Sequence, residues 1–374
     1  MRFGRMAVSL IGTLAVLGLA ACGSESNESS GTASTPSATT APGSAEVAKA
    51  KAIADKYMAE ATEWTGPTSG PKALGEPKKI WWITCGLAAE GCVRGPNAAK
   101  DAAKVLGWDL RIIDGKFDPR VWNQTIQEAI DQKIDAVVLD SVPTDVVGES
   151  VARARKAGVV VASSGSGNDP GPDSVNFEIS LKPEAEAEAM ANYLIWKTDG
   201  KLDAHIIAVN EFRVARQIVE GVTSIVKACS GCKVHVSNVS SAETATRVPQ
   251  IATSYQQQHP QTNTLVGAYD AVLLQTVPVM QDADINIASF NGIAPAIDFV
   301  RKGEQTATVG FSYEWAGWGV MDNLNRIFSG EEPVDQDIPI RLITQENIDS
   351  IPEGEPWDSG VDYPAEYTKL WKQG

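Results

Sequence analysis

Along residues 78–311 the apolar positions switch repeatedly between a period of two and a helical period. The clearest instance runs from Ile134 to Gly165, as IDAVVLD, SVPTDVVGESVARARKAG and VVVASSG. Asp135–Leu139 is a strand-length run of valine and leucine that ends in the polar pair Asp140-Ser141. Pro143 suits a helix start, where a missing N–H does no harm, and Thr144 and Asp145 follow in the first turn. Val147, Val151 and Ala154 recur at helical spacing and give that helix one apolar face. Gly158 marks its end, and Val159–Ala162 resumes as a buried strand. Such a βαβ unit has parallel strands and a right-handed connection. Ligands bind beyond the carboxyl ends of such strands. That places Ser163 and Ser164 on the functional edge.

The same alternation occurs twice over. Ile80–Thr84, Asp109–Ile113, Asp135–Leu139, Val159–Ala162 and Val175–Ile179 read as strands, with helices at Ala98–Leu106 and Trp122–Ile130 between them. Ala204–Val209, Val234–Val239, Leu265–Tyr269, Ile285–Phe290 and Thr306–Phe311 form a second series. Its helices include Glu184–Lys197 and Val214–Val226, the latter striped by Ile218, Val222, Ile225 and Val226. Two successive sets of strands predict an α/β protein with two doubly wound, Rossmann-like lobes. Ala45–Trp64 reads as a preceding helix, with Val47, Ile53, Tyr57 and Met58 to pack it.

The chain begins with an address. Arg2 and Arg5 precede an apolar run from Met6 to Leu19, too short to span a bilayer, and then Ala20-Ala21-Cys22. The cysteine directly after small residues is similar to a bacterial lipoprotein signal. That resemblance implies removal of residues 1–21 and a lipidated Cys22. Residues 22–44, rich in Ser, Thr, Ala, Gly and Pro, read as a disordered tether, and 45–77 as a helical extension. Cys85, Cys92, Cys229 and Cys232 are an even count in an exported chain, which favours disulfides. Local pairing closes the shortest loops and is preferred. The Cys229–Cys232 CxxC follows a helix where a redox motif would open one, so a structural staple is the stronger reading.

Charge and motif content narrow the chemistry. A net charge of −15 with no basic, aromatic-interleaved patch argues against nucleic acid as a partner. There is no GxxxxGK[ST] loop and no GxSxG elbow. The three histidines, His205, His235 and His259, lack ligand spacing with the cysteines, so no metal and no cofactor are expected. Enzyme readings would rest on scattered acids such as Asp140, Glu243 and Asp270, which in an acidic chain read as solvated surface. A binding protein is expected instead.

From about Lys78 to Gly330 the chain resembles the type I, ribose-binding-like family of periplasmic solute-binding proteins, the substrate-binding lipoproteins of ABC importers. The matching stretches are AAKVLGWDLRIIDG (Ala102–Gly115), KIDAVVLDSVPTD (Lys133–Asp145), ARKAGVVV (Ala154–Val161), QQHPQTNTLVGAYD (Gln257–Asp270), INIASFNG (Ile285–Gly292) and ATVGF (Ala307–Phe311). The resemblance implies lobes joined by a three-strand hinge, with crossings near Ser180, Phe311–Tyr313 and Pro339–Leu342. Residues 78–180 plus 312–340 would form one lobe, and 181–311 plus 341–374 the other lobe and tail.

Carried over position by position, the family's ligand contacts fall on Ser163 and Ser164, Arg213, Glu243, Tyr269 and Asp270, Asn291, Phe311, Tyr313 and Trp315. Several depart from the ribose pattern. Tyr269-Asp270 stands for Asn-Asp, Asn291 for the aspartate of Phe-Asp-Gly, and Ile218 for an arginine. The family implies capture without chemistry: a monomer, lipid-anchored outside the cell membrane, closes on a small polar solute, a sugar or polyol, and delivers it to the permease. An exported lipoprotein that signals ligand occupancy to a membrane receptor is the alternative.

Overall fold

The computed structural model describes residues 42–373. The signal segment, Cys22 and nearly all of the expected tether lie outside the described residues. The chain enters through α1 (Pro42–Met58). A first series follows: β1 (Lys79–Thr84), α2 (Gly91–Leu106), β2 (Asp109–Asp114), α3 (Pro119–Asp131), β3 (Ala136–Asp140), α4 (Thr144–Lys156), β4 (Val160–Ser164) and β5 (Phe177–Ile179). These strands form one parallel sheet in the order β2-β1-β3-β4-β5.

The second series is α5 (Pro183–Lys197), β6 (Asp203–Val209), α6 (Arg213–Ala228), β7 (Lys233–Val239), α7 (Thr244–Gln258), β8 (Thr264–Gly267), α8 (Asp270–Leu273), β9 (Asn286–Asn291), α9 (Ala294–Lys302) and β10 (Ala307–Phe311). After it come α10 (Tyr313–Phe328), β11 (Ile340–Thr344) and α11 (Tyr363–Gln373). The second sheet runs β11-β10-β9-β8-β6-β7, parallel except for the antiparallel edge strand β11. Both sheets carry the doubly wound order whose switch point, β1/β3 in one and β6/β8 in the other, opens a crevice at the carboxyl edge.

Strand β1 shows why the sequence folds this way. Its KIWWIT run is buried along almost its whole length, and successive side chains point to opposite faces. Trp81 packs with Trp122, Ile126 and Val147 on one side. Trp82 packs with Ala99, Ala102 and Leu106 on the other. Helices therefore cover both faces, as a parallel sheet requires.

The chain passes between the lobes at 180–182, at Ser312 and over 329–339. Two further passages were not expected. Helix α1 packs on α5 and β11, and the segment after it runs back over α10. There Trp64 stacks on Trp315 with centroids 5.0 Å apart, and the Leu74 amide donates to Asn325 Oδ1 at 3.0 Å. The sequence suggested that the first helix reaches Trp64. It ends at Met58 because Arg341 Nε and Asn347 Nδ2 donate to that carbonyl and terminate it. The tail is a second correction. Residues 341–374 are expected in the second lobe, and β11 does join its sheet, yet α11 packs on α10 and with it on the first. Tyr367 and Trp371 are drawn there by the aromatic face of α10, and Trp371 Nε1 donates to Asp322 at 2.8 Å.

Both disulfides are local, Cys85–Cys92 and Cys229–Cys232. Among the described residues no helix is long and apolar enough to cross a membrane.

Candidate functional site

The carboxyl edges of the two sheets face a cavity of about 480 Å³. From the first lobe its wall is the Cys85–Cys92 loop, Lys116 and Phe117 after β2, and Ser141 after β3. From the second come Phe212 and the first turns of α6, Tyr269 after β8, and Asn291 at the end of β9. Leu181 and Tyr313, beside two of the crossings, and Ser241 and Thr244 near the start of α7 also line it.

Aromatic rings from both lobes meet there. Phe117 and Phe212 lie edge to face with centroids 6.4 Å apart, and Phe212 meets Tyr269 the same way at 5.9 Å. Phe117 holds its position by lying on Gly86, where a Cβ would come 2.4 Å from the ring. Only glycine fits beneath it.

Two carboxylates line the cavity, and both are engaged by the protein. Asp270 accepts from Ser289 Oγ at 2.5 Å, Thr308 Oγ1 at 2.8 Å and the Ile293 amide at 2.9 Å. Its two oxygens thus tie β9, β10 and the approach to α9. Glu90, on the disulfide loop of the first lobe, reaches across and accepts from the Ala294 amide at 3.1 Å. It caps α9 from the opposite lobe, where the helix has no side-chain cap of its own.

Asn291 has φ 113°, a left-handed value that non-glycine residues avoid. Strain of this kind is kept where the surroundings impose it, and it gathers at ligand sites. Its amide nitrogen faces Gly91 of the first lobe, as does the Tyr313 hydroxyl. Among the described residues neither side chain has a hydrogen-bond partner.

Four of the residues singled out from sequence, Tyr269, Asp270, Asn291 and Tyr313, come together in this cavity. The others are placed elsewhere. Ser163 and Ser164 are buried at the end of β4, and Ser163 Oγ donates to Glu178. Arg213 turns outward to Asp169 across the cleft rim. Glu243 accepts from Ser240 Oγ at 2.6 Å and pairs with Arg247 on the surface. Phe311 and Trp315 are fully buried core, the latter against Trp64 and Tyr363. Sequence reasoning missed Phe117 as a wall residue, and Lys116 and Glu90 with it. Phe117 stands three residues beyond the end of β2, and that strand-end position was the available signal.

Burial dominates the electrostatics beneath the cavity. It pushes the carboxyls of Asp140, Glu178 and Asp270 each up to about 7. Over the interval from about pH 4 to about pH 7 the folded chain then binds more protons than the unfolded chain, so these groups lose stability as pH rises through 7. His205 works the other way, since burial and then its neighbours His235 and His259 lower it to about 4. Three acids against one histidine predict a higher melting temperature at pH 5.5 than at pH 8. An unchanged or lower value at pH 5.5 would show that these carboxyls are ionised and well solvated. Among the described residues no group of three or more His, Cys, Asp or Glu is placed to hold a metal ion.

The family model described as "Periplasmic binding protein domain" matches residues 96–332. No curated protein matches the chain in sequence. Many solved structures match its fold. An ABC sugar transporter subunit from Rhodobacter sphaeroides 2.4.1 superposes with TM-score 0.66 at 18% identity, over 72% of this chain and 99% of its own. An ABC transporter solute-binding protein from Burkholderia graminis, in complex with D-arabinose, gives 0.68 at 16% identity, over 75% and 99%. The Caulobacter myo-inositol binding protein, bound to myo-inositol, gives 0.66 at 17% identity, over 75% and 97%.

Proposed function

Because the chain belongs to the periplasmic binding protein domain family, we propose that it captures a small sugar or polyol between its lobes and delivers it to an ABC permease. It is a binding protein, not an enzyme. The observation that carries this reading is the cavity itself. It is enclosed by the carboxyl edges of both sheets and has ring faces from each lobe and unpartnered polar groups between them. Flat aromatic faces suit the C–H side of a sugar ring, and Asn291 offers both a donor and an acceptor.

Closure is the natural mode of capture. Contacts that span the cleft, Glu90 to α9, Arg216–Asp145 at 2.5 Å and Phe117 on Phe212, favour the closed arrangement that a permease would recognise. A micromolar affinity corresponds to about 8 kcal/mol, within reach of one stacked ring and a few hydrogen bonds. The neighbours solved with D-arabinose and myo-inositol point to the same class of solute.

The test is calorimetric titration of the mature domain with pentoses, hexoses and polyols. At least one should bind at about micromolar strength. Asn291→Gly should then weaken that solute by about ten- to hundred-fold, through loss of a buried hydrogen bond. Glycine also relieves the positive φ, so the variant should melt no lower than the parent. Unchanged affinity in it would move the site away from β9.

The N-terminal segment supports export and lipid anchoring at Cys22. Cys22→Ser should release the chain from the membrane fraction or leave it unprocessed. Membrane association equal to the parent's would rule out the anchor.

A further inference from the structure

A polyhydroxylated sugar is a bundle of hydroxyl donors, and a site that buries it must supply acceptors. The cavity's strongest acceptors, the carboxylate oxygens, are largely taken up by the protein itself. Asp270 has both oxygens engaged inside the second lobe, and Glu90 gives one oxygen to the Ala294 amide. Thr244 Oγ1 gives its hydrogen to the Ser241 carbonyl and keeps only its lone pairs for a solute. What stays open among the described residues is the Lys116 ammonium, which only donates, and the hydroxyls of Tyr269, Tyr313 and Ser241 with the Asn291 amide, which can each donate or accept.

The wall beside the first crossing is aliphatic. Leu181, Val214, Ala215 and Ile218 line it, all from the crossing or the first turns of α6. The two charged side chains at that helix start leave the cavity, Arg213 for Asp169 and Arg216 for Asp145. With Phe117 and Phe212, the enclosure offers apolar surface on several sides, and the aliphatic wall itself offers no partner for a hydroxyl hydrogen.

We infer that the cavity selects a hydroxyl-poor ring solute, a deoxygenated sugar whose methyl group lies on the Leu181–Ile218 wall, over its fully hydroxylated parent. This rests on the sugar-capture reading above. A methyl group seated in an apolar pocket is worth roughly 10–200-fold, whereas a hydroxyl forced against that wall loses its hydrogen bond to water and gains none. The preference therefore has a direction as well as a size. Lys116 and the phenols can donate to the ring oxygen and the remaining hydroxyl oxygens, which deoxygenation at one carbon does not remove.

Matched sugar pairs separate the two ideas. L-fucose against L-galactose, L-rhamnose against L-mannose and 6-deoxy-D-glucose against D-glucose differ only in one hydroxyl. Calorimetry on the full mature domain should show the deoxy member of any binding pair at least about tenfold tighter. Ala215→Ser, which adds a hydroxyl to the wall at little change in volume, should move that ratio several-fold toward parity. Parents that bind as well as their deoxy partners overturn this inference and leave sugar capture standing. So does binding confined to pentoses or polyols, and so does a ratio unmoved in Ala215→Ser. If no sugar or polyol binds, the capture reading itself falls, and this inference with it.

Discussion

Asp270→Ala is expected to destabilise the protein by about 3–5 kcal/mol, before any effect on ligand is considered. The carboxylate is fully buried and serves three donors, the hydroxyls of Ser289 and Thr308 and the Ile293 amide. Ser289 and Thr308 are themselves fully buried, so alanine strands their hydroxyls where no water can substitute. Gln305 Nε2 donates to Ser289 Oγ at 2.8 Å, so the loss runs one residue further along the network. Each stranded group costs about 1–3 kcal/mol. Asp270→Asn should cost less, because it keeps an acceptor for the hydroxyls while turning an NH2 toward the Ile293 amide. Urea unfolding of the ligand-free variants decides the matter. A loss under about 1 kcal/mol together with collapsed ligand affinity would make Asp270 a reader of solute and overturn its role as a tie between strands.

The second large effect concerns the end of the chain. Deleting residues 361–374 should leave a protein that does not fold stably at 25 °C. Tyr363, Tyr367, Leu370 and Trp371 are all buried on α10, and each contributes about 1.5–3 kcal/mol on burial. Their sum is comparable with the whole stability of a typical domain, about 5–15 kcal/mol. The deletion also removes the partners of Asp322 and Gln336, reached by Trp371 Nε1 at 2.8 Å and the Tyr367 hydroxyl at 2.5 Å. Trp371→Ala gives the graded version, with an expected loss of about 3–5 kcal/mol. A truncated chain that melts within a few degrees of the parent would show the helix to be an ornament.

The strands were legible because a parallel strand covered on both faces leaves a nearly continuous apolar run, as in β3 and β4. Their carboxyl ends, together with the family resemblance, pointed to Tyr269, Asp270 and Asn291, while Tyr313 followed from the resemblance. Side-chain direction was a different matter. Arg213 and Phe212 are neighbours at the start of α6, yet the ring enters the cavity and the guanidinium leaves it. Nothing local distinguishes the two, since Asp169, which draws Arg213 away, lies in the other lobe. Glu90 was hidden for the same reason, because its partner is a helix end more than two hundred residues further along. Helix α7 escaped notice because only Val248 and Ala252 are buried along its length, too few for a stripe. Helix α11 was obscured by polar and aromatic residues whose burial depends on the indole face of α10.

The two added passages between the lobes, through the segment after α1 and through the tail before α11, bear on what the open form costs. Each extra covalent run that bridges the lobes removes orientations from the ligand-free ensemble, as a cross-link removes conformations from an unfolded chain. The lobes then have less freedom to surrender when they close, and less of the binding energy is lost to ordering. A protein hinged by three strands alone must recover that entropy from many contacts to its solute. This one, restrained by five, can hold a sparsely functionalised ring with few.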